Sequence, residues 1–385
     1  MTSGSRYKLV ISISAVAGAV AIFAILHSKP ANNGTAGISV ATPATIAPET
    51  PQPAASLYSI PGSIQPLDDA LKELTSAANP ADSRRILASL RAYLLSLPKS
   101  VASRLIEQFL GGKRDASTKL AFTIQKNGFL SDAPSLRVFL LDMLAQIDPQ
   151  AASQVAMQIL STPGSPDEWA ICLRNFALGG TPAETQAYLE SKFLEMLANS
   201  AWRGNPSDGY LEAFDAAVYT HDTALTPAFS QLIADNGNRA VAHAAYLALD
   251  RLVISDPAAV LTQLEAQPSL MQGHEMTRAD YFARADAANP QQKAVLESYL
   301  LDPNRTQQEL QAFAAIYPNQ NYMISNNLLT QIQTPTYTDI VARDRQALST
   351  VQGWMSDPRF QALEPQLQSI STRLQTILGG AGTGQ

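Results

Sequence analysis

The chain carries four histidines, His27, His221, His243 and His274, and one cysteine, Cys172. These side chains most often ligate metals or attack substrates. Their placement argues against both roles. No two histidines stand at metal-ligand spacing, and no His-Glu-x-x-His helix occurs. Cys172 lies in the apolar run Trp169-Ala170-Ile171-Cys172-Leu173, which predicts a buried structural thiol. His274-Glu275 beside Gly273 is a compact acid–base pair, and its position after the Pro268–Gly273 break predicts a surface pair that caps a helix. His243 falls between apolar positions and is expected to be partly buried and hydrogen bonded. No phosphate loop, dinucleotide fingerprint or Gly-x-Ser-x-Gly elbow is present. The expectation is a protein without catalytic, cofactor-binding or metal-binding residues.

Recognition is the chemistry that remains. Two polar-aromatic stretches, Ala201-Trp202-Arg203-Gly204-Asn205-Pro206 and Tyr317-Pro318-Asn319-Gln320-Asn321-Tyr322, interrupt helical patterns. Trp, Tyr and Arg are enriched at protein-binding hot spots, so Trp202, Arg203, Tyr317 and Tyr322 are the candidate binding residues. The competing reading folds these aromatics back onto the core. The net charge of −6 excludes a chain that binds nucleic acid through overall basicity. Basic residues gather in 81–137, where ten lysines and arginines face Asp82, Glu107, Asp115 and Asp132, whereas 138–300 is acidic. The basic stretch reads either as solvated helix faces or as a surface for anionic lipid or an acidic partner.

Apolar residues recur at helical spacing along most of the chain. Val101, Leu105 and Phe109 form one row; Leu136, Phe139, Leu140, Met143, Leu144 and Ile147 form another; Val241, Ala245, Ala248, Leu249 and Leu252 a third. Asn79-Pro80, Asp148-Pro149, Thr181-Pro182, Thr226-Pro227, Asp256-Pro257 and Asn289-Pro290 each pair a short polar cap with a proline. Proline suits the first helical position, where no amide donor is needed. Gly111-Gly112 and Gly179-Gly180 suit helix ends. About seventeen helices are expected over 67–378, with short loops and no convincing strand. The helices at about 336–355 and 359–377 are predicted to form a terminal hairpin over 336–378, either covering the end of the array or supporting a homo-oligomer. Residues 379–385 form a Gly-rich tail.

Arg6 and Lys8 precede an uncharged run from Leu9 to Leu26, long enough to span a bilayer core as a helix. Residues 9–27 are therefore expected to be a signal anchor. The positive-inside rule places 1–8 in the cytoplasm and the remainder across the inner membrane, in the periplasm. A cleaved signal peptide is the alternative. Residues 28–66, rich in Pro, Ala and Thr, read as a disordered spacer.

Ser135 through Pro149 resembles one unit of a HEAT-like repeat, with an arginine near the start, an apolar helix, and Asp-Pro opening the partner helix. Arg239 through Pro257 repeats that plan, and 167–197 and 208–235 look like degenerate relatives. The resemblance is strongest over 115–270. It implies an all-α array of antiparallel helix hairpins, an α-solenoid serving as a binding scaffold for envelope proteins. Two lesser resemblances imply other functions. Glu190-Ser191-Lys192-Phe193 is similar to the Glu-Ser-x-Phe opening of lytic transglycosylase domains, where the glutamate is the general acid. The Gly-rich segment ending in Met-Gln that follows in that family is absent here. Lipase-specific foldases share the layout of anchor, spacer and extended helical domain, which implies a chaperone for an exported client. Their Arg-x-x-Phe-Asp-Tyr motif has no counterpart, and Asp280-Tyr281-Phe282 has the wrong order.

Overall fold

Proline and short polar caps set most of the helix boundaries in the computed structural model, which describes residues 62–180, 182–235 and 237–381. Three helices come first: α1 (Gln65–Ser76), α2 (Pro80–Ser96) and α3 (Lys99–Gly111). A small antiparallel hairpin of β1 (Thr123–Ile124) and β2 (Leu130–Asp132) follows. Next are α4 (Leu136–Ile147), α5 (Pro149–Leu160), α6 (Pro166–Gly179) and α7 (Pro182–Ala198). Three single-turn helices, α8 (Ser200–Gly204), α9 (Asp208–Glu212) and α10 (Asp215–Tyr219), lead to α11 (Thr226–Ala234) and α12 (Arg239–Ser255). The remainder is α13 (Pro257–Ala266), α14 (Glu275–Phe282), α15 (Pro290–Leu301), α16 (Gln307–Ile316), α17 (Tyr337–Met355) and α18 (Glu364–Ala381). The fold is all-α, with the two-stranded hairpin its one sheet among the described residues.

The caps work as their chemistry requires. Asn79 Oδ1 accepts from the amides of Ala81 and Asp82 at 2.9 and 3.1 Å, and Asn289 does the same for α15. Asp148 is at once the last cap of α4 and the first cap of α5, so a single residue turns the chain between two helices. Asp256 occupies the same place between α12 and α13. Helices pack chiefly on the next helix or the next but one: α4 on α5 and α6, α11 on α12 and α13, α14 on α16, α16 on α18. Gly179 allows the closest of these approaches, since a Cβ there would stand 2.3 Å from the Pro149 carbonyl oxygen.

Helices α4 and α6 are buried on every side: Leu136–Ala145 and Glu168–Ala177 are interior without interruption. A helix that is enclosed all round has no solvated face for its polar residues, so each must find a partner inside. Arg137 forks onto Glu168 at 2.9 and 3.0 Å and donates to the Leu110 carbonyl at 2.7 Å. Arg174 donates to Asp142 at 2.6 Å and to the Gly128 carbonyl at 2.8 Å, and Asn175 donates to the Leu141 carbonyl. Asp142 also accepts from the Leu130 amide at 3.1 Å, which ties the hairpin to the central helices. Cys172 is fully enclosed, and burial pushes its thiol up, so it stays protonated.

Several expectations are corrected. Helix begins at Gln65 rather than 67, because Pro66 sits in its first turn. Gly379 and Gly380 belong to α18, which runs to Ala381, so the tail starts later than 379. Thr226 lies inside α11 rather than capping it; its hydroxyl donates to the Thr223 carbonyl. The stretch 208–235 is broken into short helical turns and is no regular helix pair. Between α16 and α17 the chain runs without regular structure from Tyr317 to Thr336, far longer than the short loops expected. At the C-terminal end α17 packs on α18, with Ala347, Val351 and Trp354 buried, as are Phe360, Leu367, Ile370 and Leu374. The spacer is described only from residue 62. The anchor at 9–27 lies outside the described residues, and no described helix is long and apolar enough to cross a membrane.

Candidate binding cleft

Residues 318–335, Pro-Asn-Gln-Asn-Tyr-Met-Ile-Ser-Asn-Asn-Leu-Leu-Thr-Gln-Ile-Gln-Thr-Pro, contain no charged side chain and no helical period. A chain of this kind cannot satisfy its own backbone and must borrow partners from the helices it crosses. At its start the Asn319 amide donates to the Ala283 carbonyl at 2.7 Å. Arg284, forked onto Asp250 at 2.5 and 2.9 Å, donates to the Asn321 carbonyl at 2.8 Å. Further along, Asp215 on α10 accepts the Leu329 amide at 2.6 Å, the Thr330 amide at 3.0 Å and the Thr330 hydroxyl at 2.6 Å. Its other charged partner is Arg251 on α12. Finally, Asn326 donates to the Ile124 carbonyl at 2.9 Å and Gln331 to the Lys126 carbonyl at 3.3 Å. The strap therefore joins the end of α14 and α10 to a hairpin some two hundred residues earlier in sequence. Gly128 makes the crossing possible: its φ is +80°, and a Cβ would lie 2.5 Å from the Leu328 carbonyl oxygen.

Strap and helices enclose two adjoining cavities. The first, about 340 Å³, lies between α9, α10, α12 and the strap, with Leu211, Glu212, Phe214, His243, Ile254 and Tyr322 in its wall. The second, about 680 Å³, has Tyr219, His221 and Gln331 in its wall and shares Arg251, Ile254, Tyr322 and Ile332 with the first. The walls are mainly apolar. The strap exposes Met323, in the wall of the first cavity, and next to it in sequence Ile324, which is 80% accessible. Glu212 is the unusual group. Burial, then the charges of Asp215 and Asp208, push its carboxyl up to about 7, with Arg251 opposing. Asp250 is also raised by burial, against the pull of Arg284.

Of the four residues named from sequence, the structure brings one to this cleft. Tyr322 lines both cavities and lies 5.8 Å from the Arg284 guanidinium. Tyr317 is interior, 1% exposed, in an unbroken aromatic row that runs Phe282, Tyr299, Phe313, Tyr317, Trp354, Phe360. It is a core residue and offers no binding surface. Trp202 is half-buried, edge-on to Trp169 at 5.2 Å, and Arg203 leans towards the Leu197 carbonyl; both stand apart from the cavities. Glu190 accepts from Gln186 at 3.0 Å on α7 and lines neither cavity. His243 is exposed at the rim, stacked at 6.3 Å on Tyr246, contrary to the partly buried, hydrogen-bonded imidazole expected. Glu275 accepts from the Gly273 amide at 3.0 Å, ahead of α14, and His274 at the N-cap makes no side-chain capping bond, so the expected helix cap is not formed. Sequence reasoning missed Glu212, Asp215, Asp250, Arg251 and Arg284. The readable signal was Asp250-Arg251 set between Leu249 and Leu252, a charged doublet interrupting an apolar stripe.

Beside a strap whose main chain is already held, the cleft presents apolar walls and one protonatable acid. Such a surface suits holding a chain. Among the described residues no group of three or more His, Cys, Asp or Glu is placed to hold a metal ion. Comparison with family models, with curated proteins and with solved structures returned no match.

Proposed function

We propose that this protein is a membrane-anchored, extracytoplasmic helical scaffold, HEAT-like in plan, which binds an extended segment of another envelope protein beside the strap and performs no catalysis. One observation carries this reading. The helices already hold a long non-helical stretch of chain through side chains aimed at its backbone, and cavities open directly alongside it. Grip on main-chain atoms is how extended segments are bound, while pockets beside them select side chains. Neighbour-to-neighbour helix packing and the repeated Asp-Pro corner support the HEAT-like plan. The anchor rests on the apolar run from Leu9 to Leu26.

The test is affinity capture of tagged protein from crosslinked native membranes, comparing wild type with Ile324→Asp and with Leu95→Asp on α2. Capture of the same discrete partner by wild type and Leu95→Asp, reduced at least fivefold by Ile324→Asp, is expected. No reproducible partner, or equal capture by all three, refutes the scaffold reading.

A further inference from the structure

The charges around the smaller cavity are unequally matched. On α10, Asp215 is taken up by Arg251 and by Leu329 and Thr330. On α12, Asp250 is forked by Arg284. The strap brings no charge, and His243 on α12 stands exposed at the rim. Glu212 on α9, with Asp208 on the same helix, has no hydrogen-bonded or ion-paired partner among the described residues, although it is partly buried in the cavity wall. A half-buried carboxylate without a cation is costly, and an arriving cation would remove that cost.

From this geometry we infer that the smaller cavity receives an arginine or lysine side chain from the partner's extended segment, with its charged end on Glu212. The inference rests on the scaffold reading and specifies its partner. Size agrees: about 340 Å³ is at the small end for ligand pockets and accommodates one long side chain. The walls agree as well. Leu211, Phe214, Leu247 and Ile254 offer apolar surface for an alkyl stem, and Tyr322 offers an aromatic face for the cation. An anionic side chain would meet Glu212, Asp215 and Asp250 with Arg251 already committed. A neutral one would leave Glu212 as it is.

Ionised Glu212 is the binding form. Because burial and the neighbouring acids hold its carboxyl near 7 in the free protein, binding should strengthen as pH rises through that value. Asp208, Asp215, Asp250, Arg251 and His243 are the other titratable or charged groups from α9, α10 and α12 that bear on it. Histidine is the side-chain type that changes charge in this pH range, so His243→Gln serves as the control.

Full-length protein in detergent is titrated with five-residue peptides that differ only at the centre: Arg, Lys, citrulline or Glu. At pH 8 the Arg and Lys peptides should bind at least tenfold tighter than the citrulline peptide. That advantage should shrink about tenfold at pH 5.5, vanish in Glu212→Gln and persist in His243→Gln. Equal binding of Arg and citrulline peptides, or an unchanged preference in Glu212→Gln, overturns the inference. So does n-butylamine binding as tightly as the Lys peptide, which would make the site one for free amines. Should the Arg preference fail while Ile324-dependent capture persists, the cation site falls and the scaffold stands. Should capture fail, the scaffold falls, and the Arg–citrulline contrast still decides whether the cavity takes a cation.

Discussion

Glu212 and Arg174 show two ways a charge can sit inside this protein. Arg174 is enclosed with Asp142, each 1% exposed, and its nitrogens are matched to the Asp142 carboxylate, the Gly128 carbonyl and the Asn175 amide oxygen. Removing one partner strands the other. Arg174→Ala should therefore cost about 3–5 kcal/mol in urea unfolding. The paired change Asp142→Leu with Arg174→Met should recover part of that loss. Glu212 is the opposite case, a carboxyl raised to about 7 with no hydrogen bond or ion pair of its own among the described residues and only the more distant charge of Arg251 opposing the shift. A carboxyl whose folded pKa exceeds its unfolded value is fully stabilising below the unfolded value and loses that contribution as pH rises through the folded one. Wild type should accordingly lose stability between about pH 4.5 and 7. Glu212→Gln should melt like wild type at pH 4.5 and be more stable at pH 8 by about 1–2 kcal/mol, the residual contact with water moderating the effect. A Glu212→Gln protein that is less stable than wild type at pH 8 would show that the carboxylate is satisfied after all.

Helices were legible in this sequence because their determinants are local. A cap, a proline and a 3.6-residue stripe lie within one window, and Asn79, Asp148 and Asn289 do what their position promised. The strap was illegible for the converse reason. Its stability comes from Asp215, Arg284, Ile124 and Lys126, residues 37 to 205 positions away, and no window contains both sides. Tyr317 and Tyr322 look alike as loop aromatics, yet one continues a buried aromatic row from α16 to α17 and the other lines the cleft. The short hairpin escaped notice because two- and three-residue strands leave no alternation to read. Gly128 is the point at which hairpin and strap touch. An alanine there would occupy a left-handed backbone and press on Leu328, so Gly128→Ala should cost about 2 kcal/mol. In hydrogen exchange the amides of Leu329 and Thr330 should then exchange at least tenfold faster, while α4 remains protected. Unchanged exchange at those two amides would mean that the strap does not depend on this contact.

At the scale of the molecule, helix follows helix with mostly sequential neighbours among the described residues, and the strap ties parts distant in sequence together. Where the strap crosses the helices it forms a cleft with apolar walls and an unpaired acid. The decisive measurement places a photoreactive phenylalanine at Ile324, at His243 and, as the control on α2, at Leu95, followed by irradiation in native membranes. Expected is one discrete protein adduct from positions 324 and 243 and none from 95. No adduct from either cleft position, or the same adducts from Leu95, would contradict a scaffold that works through this cleft.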